Sequence, residues 1–137
     1  MKVLFVATVR SHIGQFHMPF IRELKAHGAQ VDAAFKDNSA DKTGLDLSAI
    51  DKTFEVPFER QPLRPDNIKA YKTLKKVIDS NNYDAIHCHT PMGAVIARLA
   101  AKGARKKGTK VIYTAHGFHF FKGAPLKNWL LFYPVEK

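Results

Sequence analysis

The run Val3-Leu-Phe-Val-Ala7 constrains this chain more than any other stretch. Five consecutive apolar residues have no polar face to turn to water. Such a segment needs cover on both sides, which is the condition of a central strand in a parallel sheet. Strand-length segments recur at Gln30–Phe35, Lys52–Val56, Ala85–Cys88 and Lys110–Ala115. Helical spacing fills the gaps between them. Phe16, Phe20, Ile21 and Leu24 share one stripe of a helix over 16–27, closed by Gly28. Residues 36–50 are polar and read as a loop. Asp66 reads as the cap of a helix running to Ser80, with Ile68, Tyr71, Leu74, Val77 and Ile78 inward. Thr90-Pro91 reads as a capped helix start, and that helix is expected to reach about Lys106. A loop over 116–125 and a final helix from Pro125 complete the pattern. Alternation of this kind predicts an α/β fold: one three-layer, Rossmann-like domain over residues 1–137. Right-handed crossovers give a five-stranded parallel sheet of order 3-2-1-4-5, with a ligand crevice at the carboxyl ends of strands one and four.

Composition narrows the class. Apolar residues at 45% and charged residues at 25% match a globular domain and not a disordered tail. The single cysteine, Cys88, rules out an intrachain disulfide, so a reducing compartment is expected. No apolar run approaches the roughly 20 residues of a membrane-spanning helix. The apolar opening reads as a strand and not as a secretion signal, because no small-residue cleavage site follows it.

The net charge of +10 is concentrated in two blocks. Residues 60–80 carry Arg60, Arg64, Lys69, Lys72, Lys75 and Lys76 against Asp66 and Asp79, a net of +4. Residues 98–110 carry Arg98, Lys102, Arg105, Lys106, Lys107 and Lys110 with no acid, a net of +6. Two readings stand side by side: solvated helix faces, or a field that attracts phosphate, anionic lipid or nucleic acid.

In a sheet of this kind chemistry collects in the loops after strands. Three such loops carry the polar signal: Thr8–Gln15, His87–Pro91 and Thr114–His119. The first lacks G-x-G-x-x-G and the P-loop pattern, which argues against a dinucleotide fingerprint and a P-loop hydrolase. Gly14 can let backbone approach a ligand closely or can simply make a turn. His87 and His89 share a strand face and, with His116 and His119, are conceivable metal ligands, but no carboxylate accompanies them. His116 can hydrogen-bond a hydroxyl or carry a proton near neutral pH, or pack the crevice wall. Cys88 points the other way and reads as a core thiol. No Ser/His/Asp or Cys/His nucleophile arrangement is visible. The segment Pro125–Pro134, with Trp129, Leu130, Phe132 and Tyr133, holds more large apolar groups than one small core accepts.

Several of these segments are familiar together. Ile86-His-Cys-His-Thr-Pro91, the basic helix Arg98–Lys107 and Tyr113-Thr-Ala-His-Gly-Phe-His-Phe-Phe-Lys-Gly-Ala-Pro-Leu-Lys-Asn-Trp129 resemble family 4 glycosyltransferases, in particular bacterial capsular polysaccharide and exopolysaccharide enzymes. Ser11-His12-Ile13-Gly14 and Val56-Pro57-Phe58-Glu59-Arg60 agree, so the likeness spans essentially the whole chain. Gly14 stands alone where the family commonly has a glycine pair.

The resemblance implies a GT-B architecture of two Rossmann-like domains facing across a cleft. This chain matches the first, acceptor-side domain; the C-terminal donor-binding domain has no counterpart in it. His116 would match the family's histidine near the reacting sugar, and Gly14 the segment approaching the donor diphosphate. Arg60 and Arg64, by their charge, suit the pyrophosphate of a lipid-linked acceptor. His12, His89, Thr90, Gly117 and His119 complete the expected acceptor- and donor-binding set. The implied reaction is retaining, metal-independent transfer from a nucleotide-sugar, so no cofactor or metal is expected. The implied setting is cytoplasmic, peripheral at the anionic inner face of the membrane, and the chain is expected to be inactive alone. Two rivals remain: a non-catalytic partner of a separate glycosyltransferase subunit, and a basic nucleic-acid-binding domain. The second lacks a stacking platform.

Overall fold

The computed structural model describes residues 1–39 and 43–115, with Gly123, Leu126 and Leu130. Five parallel strands form one sheet in the order β3-β2-β1-β4-β5. They are β1 (Lys2–Val9), β2 (Gln30–Lys36), β3 (Lys52–Glu55), β4 (Ala85–His89) and β5 (Lys110–Thr114). The helices are α1 (Arg10–Phe16), α2 (Met18–Ala26), α3 (Asp66–Ser80), α4 (Pro91–Ala100) and α5 (Lys102–Lys106). The expected strand order is therefore the observed one.

β1 lies at the centre, paired with β2 and β4. Its side chains divide by parity. Val3, Phe5 and Ala7 join Val31, Ala33 and Phe35 of β2 under Ile13, Met18 and Ile21 of the first two helices. Leu4 and Val6 join Ala34, Ile86 and Cys88 under α3 and α4, where Leu74, Ile78, Ala94 and Ala97 close the second core. Both faces are dry, as the apolar run requires. Burial pushes the Cys88 thiol up to about 12, so this sulfur is core and not nucleophile.

Two crossovers end on the same device. After α2, Gly28 takes φ +84°, its N–H donates to Lys25 O and the Ala29 N–H donates to Leu24 O. After α5, Gly108 takes φ +104°, with matching bonds to Arg105 O and, from Thr109, to Ala104 O. Each satisfies the last helical carbonyls and turns the chain into the next strand.

Local details depart from expectation. The loop expected over 8–15 is absent: β1 runs to Val9 and α1 starts at Arg10, with His17 as the joint before α2. Of the expected stripe, Ile21 is fully buried and Leu24 packs against the core, whereas Phe16 and Phe20 are exposed; the break at His17 brings Ile13 and Met18 into the core in their place. Asp66 is the first residue of α3 and makes no side-chain cap. Its helix buries Asn67, Ala70, Leu74 and Ile78, while Ile68 is 61% exposed. Thr90 makes no cap bond either, and the following helix breaks at Ala101. The helix expected from Pro125 lies, apart from Leu126 and Leu130, outside the described residues.

One polar pair sits inside the second core. Asp32 is fully buried and accepts a hydrogen bond from Tyr83 Oη at 2.7 Å. Burial, and then this carboxylate, push the phenol above its ordinary range. On the other side Asp51 clamps the sheet edge, accepting from Lys25 Nζ at 2.7 Å and from Val31 N–H at 2.8 Å. The lysine bond, then the backbone bond, hold its carboxyl below the usual range.

Two predictions follow from this packing. Leu74→Ala is expected to cost about 2–5 kcal/mol, as for a fully buried leucine, and Ile68→Ala about 0.5 kcal/mol or less; urea midpoints at a common m-value decide it. Asp51, with its native pKa lowered, contributes stability that is complete above the unfolded value of about 3.9 and is lost as pH falls through the native one. Asp51→Asn is therefore expected to reduce the loss of stability between neutral and acid pH, read as thermal midpoints across that range.

Candidate functional site

The carboxyl ends of β1 and β4 meet in a hydroxyl lock. Thr90 Oγ1 accepts the Thr8 N–H at 3.1 Å and lies 2.6 Å from Thr8 Oγ1. It also donates to its neighbour's carbonyl, His89 O, at 2.5 Å. Thr90 has one hydroxyl proton, so Thr8 is the donor in the shared bond. Thr90 takes φ +64°, the one positive value at a non-glycine among the described residues. This backbone strain is held by the three bonds. Gly93 makes the close approach possible. A Cβ there would stand 2.8 Å from Thr90 Oγ1 and 3.4 Å from the backbone of Ala7 and Thr8.

This lock forms the floor of a cavity of about 250 Å³ lined by Thr8, Val9, His12, Arg60, Thr90, Pro91 and Met92. A second cavity, of about 480 Å³, opens beside it over Lys36, Asn38, Glu59, Arg60 and Arg64. Arg60 borders both. Its turn is strapped by Asn67, which accepts the Glu59 N–H at 2.9 Å and donates to Gln61 O at 3.0 Å. Glu59 bonds Lys36 Nζ at 2.8 Å, and the ammonium holds its carboxyl below the usual range. The start of α1 is capped from a distance: Asn38 Oδ1 accepts the Ser11 N–H at 2.9 Å and Asn38 Nδ2 donates to Ser11 Oγ at 2.8 Å. Asn38 thus supplies the helix-end partner that Val9 cannot.

Several of the expected site residues come together here. His12, Thr90 and Arg60 line one cavity, and Arg60 and Arg64 the next. His89 lies just beneath, 1% exposed, its ring centroid 6.1 Å from that of His12. Gly14 lies inside α1, and the space a Cβ would take is filled by the Leu45 side chain 2.9 Å away. That contact supplies a packing reason for glycine at this position. His87, set beside His89 as a conceivable metal ligand, bonds Thr114 Oγ1 through Nε2 at 2.7 Å. His116, Gly117 and His119 lie outside the described residues.

Three contributors are not apparent from sequence. Asn67 reads as an ordinary first-turn residue, yet it holds the Arg60 turn. Asn38 falls in a polar loop without pattern. His17 stacks on His89 with ring centroids 3.7 Å apart. The short spacing from His12, with Pro19 just beyond, is the one signal that could have pointed to His17. The arrangement suits an anion beside hydroxyl groups: two guanidinium groups, an imidazole and no reactive nucleophile on the described rim.

Comparison with known proteins shows the family and the fold. A family profile described as "Glycosyl transferase 4-like" matches residues 2–137. "Putative glycosyltransferase EpsD" of Bacillus subtilis (strain 168) is 52% identical over 136 residues, 99% of this chain and 34% of that protein. The chain therefore spans about a third of that relative's length. Among solved structures, a UDP-N-acetylglucosamine 2-epimerase aligns with a TM-score of 0.64 at 16% identity, over 99% of this chain and 38% of that one. The UDP-GlcNAc 2-epimerase from Neisseria meningitidis, bound to UDP-GlcNAc, aligns with a TM-score of 0.64 at 18% identity, over 97% and 36%. At these identities the likeness is one of fold.

The lock carries its own prediction. Thr90→Val removes the acceptor of the buried Thr8 N–H and is expected to cost about 1–3 kcal/mol. Gly93→Ala is expected to cost a similar amount, about 1–3 kcal/mol, through the clash. Gly103→Ala, in α5 with open space around it, is expected to stabilise by about 0.5–1 kcal/mol. Chemical denaturation of the three variants ranks them.

Proposed function

We propose a function from one premise: the chain belongs to the glycosyl transferase 4-like family. On this reading it is the acceptor-binding domain of a retaining, nucleotide-sugar-dependent glycosyltransferase in surface polysaccharide synthesis. A second Rossmann-like domain supplies most of the donor site. Without it the contacts that stabilise the transition state are missing, so the chain alone does not turn over. The observation that carries the proposal is the convergence of Arg60, Arg64, His12 and Thr90 on adjoining cavities at the carboxyl edge of the sheet. Guanidinium forks there match the pyrophosphate of a lipid-linked acceptor, and imidazole and hydroxyl groups match a sugar. His116 is assigned the position near the reacting sugar from the family resemblance.

The same domain would meet an anionic membrane surface. An apolar groove between α3 and α4 is lined by Leu63, Ile68, Tyr71, Val95 and Leu99, with Arg64 and Lys102 beside them. Leu63 is 85% and Leu99 58% exposed. Arg105, Lys106 and Lys107 are also exposed, on and just after α5. Apolar groups flanked by lysine and arginine suit an interface of acyl chains and acidic headgroups. No helix among the described residues is long and apolar enough to cross a membrane.

Titration of the chain with inorganic pyrophosphate is expected to give saturable binding that weakens at least about tenfold in Arg60→Gln and in Arg64→Gln. Equal affinity in both variants overturns the acceptor role of these arginines. Charge reversal at Lys106 and Lys107 is expected to weaken binding to anionic vesicles by about tenfold or more, at roughly 1 kcal/mol per basic residue, and to leave neutral vesicles unaffected. In the protein that includes the donor-binding domain, His116→Ala is expected to lower kcat with little change in melting temperature.

A further inference from the structure

The sheet face beneath α1 and α2 holds a concentration of imidazoles, of which the transfer reading uses His12 and leaves His17 and His89 without a role. His12 comes from α1, His17 from the joint between α1 and α2, and His89 from the end of β4. One ring nitrogen from each lies within 4.8 Å of the others. The Nε2 atoms of all three are withdrawn from solvent. His17 and His89 are 6% and 1% exposed, and His12 is half-buried. We propose that these three histidines bind a divalent transition-metal ion of the zinc type.

The chemistry selects the ion. Three neutral imidazoles and no carboxylate form a donor set suited to zinc, cobalt, nickel or copper and unsuited to magnesium or calcium. The positions are well anchored. The His17 N–H donates to Ile13 O at 3.0 Å and its carbonyl accepts from Ile21 N–H at 2.9 Å. His89 precedes the Thr8–Thr90 lock. Phe5 packs against both buried rings, at centroid distances of 6.1 Å from His17 and 5.7 Å from His89. Phe16 stands 5.1 Å from His12. The buried Phe5 ring lowers the local dielectric on its side and strengthens a charged metal–ligand contact.

The fit requires a modest closure. Zinc–nitrogen bonds of about 2.0–2.1 Å in a tetrahedron set donor atoms about 3.3 Å apart, so the trio contracts by about 1.5 Å at most. Turning the rings of His17 and His89, now 29° from parallel, is part of that movement. Three protein ligands leave a fourth position. His12 also lines the cavity shared with Arg60 and Thr90, and from that side a water completes the shell. The ion would tie the end of β4 to the α1–α2 corner, and no step of sugar transfer is routed through it.

The test uses the metal alone. The chain, freed of metal with a chelator, is titrated with Zn2+ by calorimetry and with Co2+ by visible absorption. The expected result is one equivalent bound, a tetrahedral Co2+ spectrum, a melting temperature that rises with metal, and affinity that falls as acid protonates the imidazoles. His12→Gln and His17→Gln are expected to weaken binding at least about tenfold. His27→Gln, on an exposed imidazole paired with Glu23, is expected to leave it unchanged. His12 is half-buried, so His12→Gln keeps the test decisive even if the buried variant unfolds. Absence of stoichiometric binding, or binding undiminished in His12→Gln, overturns the site. Either result leaves the transferase reading intact, because no sugar chemistry is measured.

Discussion

Burial of β1 on both faces governs the rest of the structure. Leu4, Phe5 and Val6 are each fully shielded, and each such side chain contributes about 1.5–3 kcal/mol. A strand with no polar face cannot sit at an edge or against water. Helices must therefore pack on both sides, and parallel neighbours reached by right-handed crossovers are the economical way to supply them. β1 at the centre, β2 and β4 beside it and the two separate cores all follow. The carboxyl ends of the strands then share one rim, where Thr8 and Thr90 come within hydrogen-bond reach although 82 residues separate them.

Few polar side chains are buried inside this apolar frame among the described residues, and several are held by specific partners. Asp32 takes the Tyr83 hydroxyl, Thr90 takes the Thr8 backbone and hydroxyl, and Asn67 bridges both sides of the Arg60 turn. Each arrangement holds a specific piece of the rim in place, since leaving such a group without its partner costs about 1–3 kcal/mol. The lock at Thr90 also stores backbone strain next to the cavity. Strain held beside a cavity by a hydroxyl network is a common property of binding sites.

Much of the candidate site was legible in sequence, in a particular sense. His12, His89 and Thr90 follow strands, and the α/β pattern alone places them at one end of the sheet. Arg60 and Arg64 are marked by the charge imbalance. What was not legible is what holds them. Asn67 and Asn38 act through partners 6 to 27 residues away, and nothing in their neighbours announces it. His17 becomes a neighbour of His89 because α1 ends at Phe16 and the joint turns inward. The caps expected at Asp66 and Thr90 failed for a related reason. Residue type says which side chains can cap, and the entry geometry of the chain says which do.

The sequence by itself determined the class of fold, the strand order and the edge of the sheet at which His12, His89 and Thr90 gather. These depend on apolar periodicity and on breaker residues such as Gly28 and Gly108, which are local properties. Tertiary structure alone decided which side chains of each helix are buried, as the exposure of Ile68, Phe16 and Phe20 illustrates. It also decided the Thr8–Thr90 lock and the gathering of three imidazoles from separate segments. Those outcomes depend on helix rotation and on distances between parts of the chain far apart in sequence. A residue's neighbours along the chain carry no information about either until the two cores have packed.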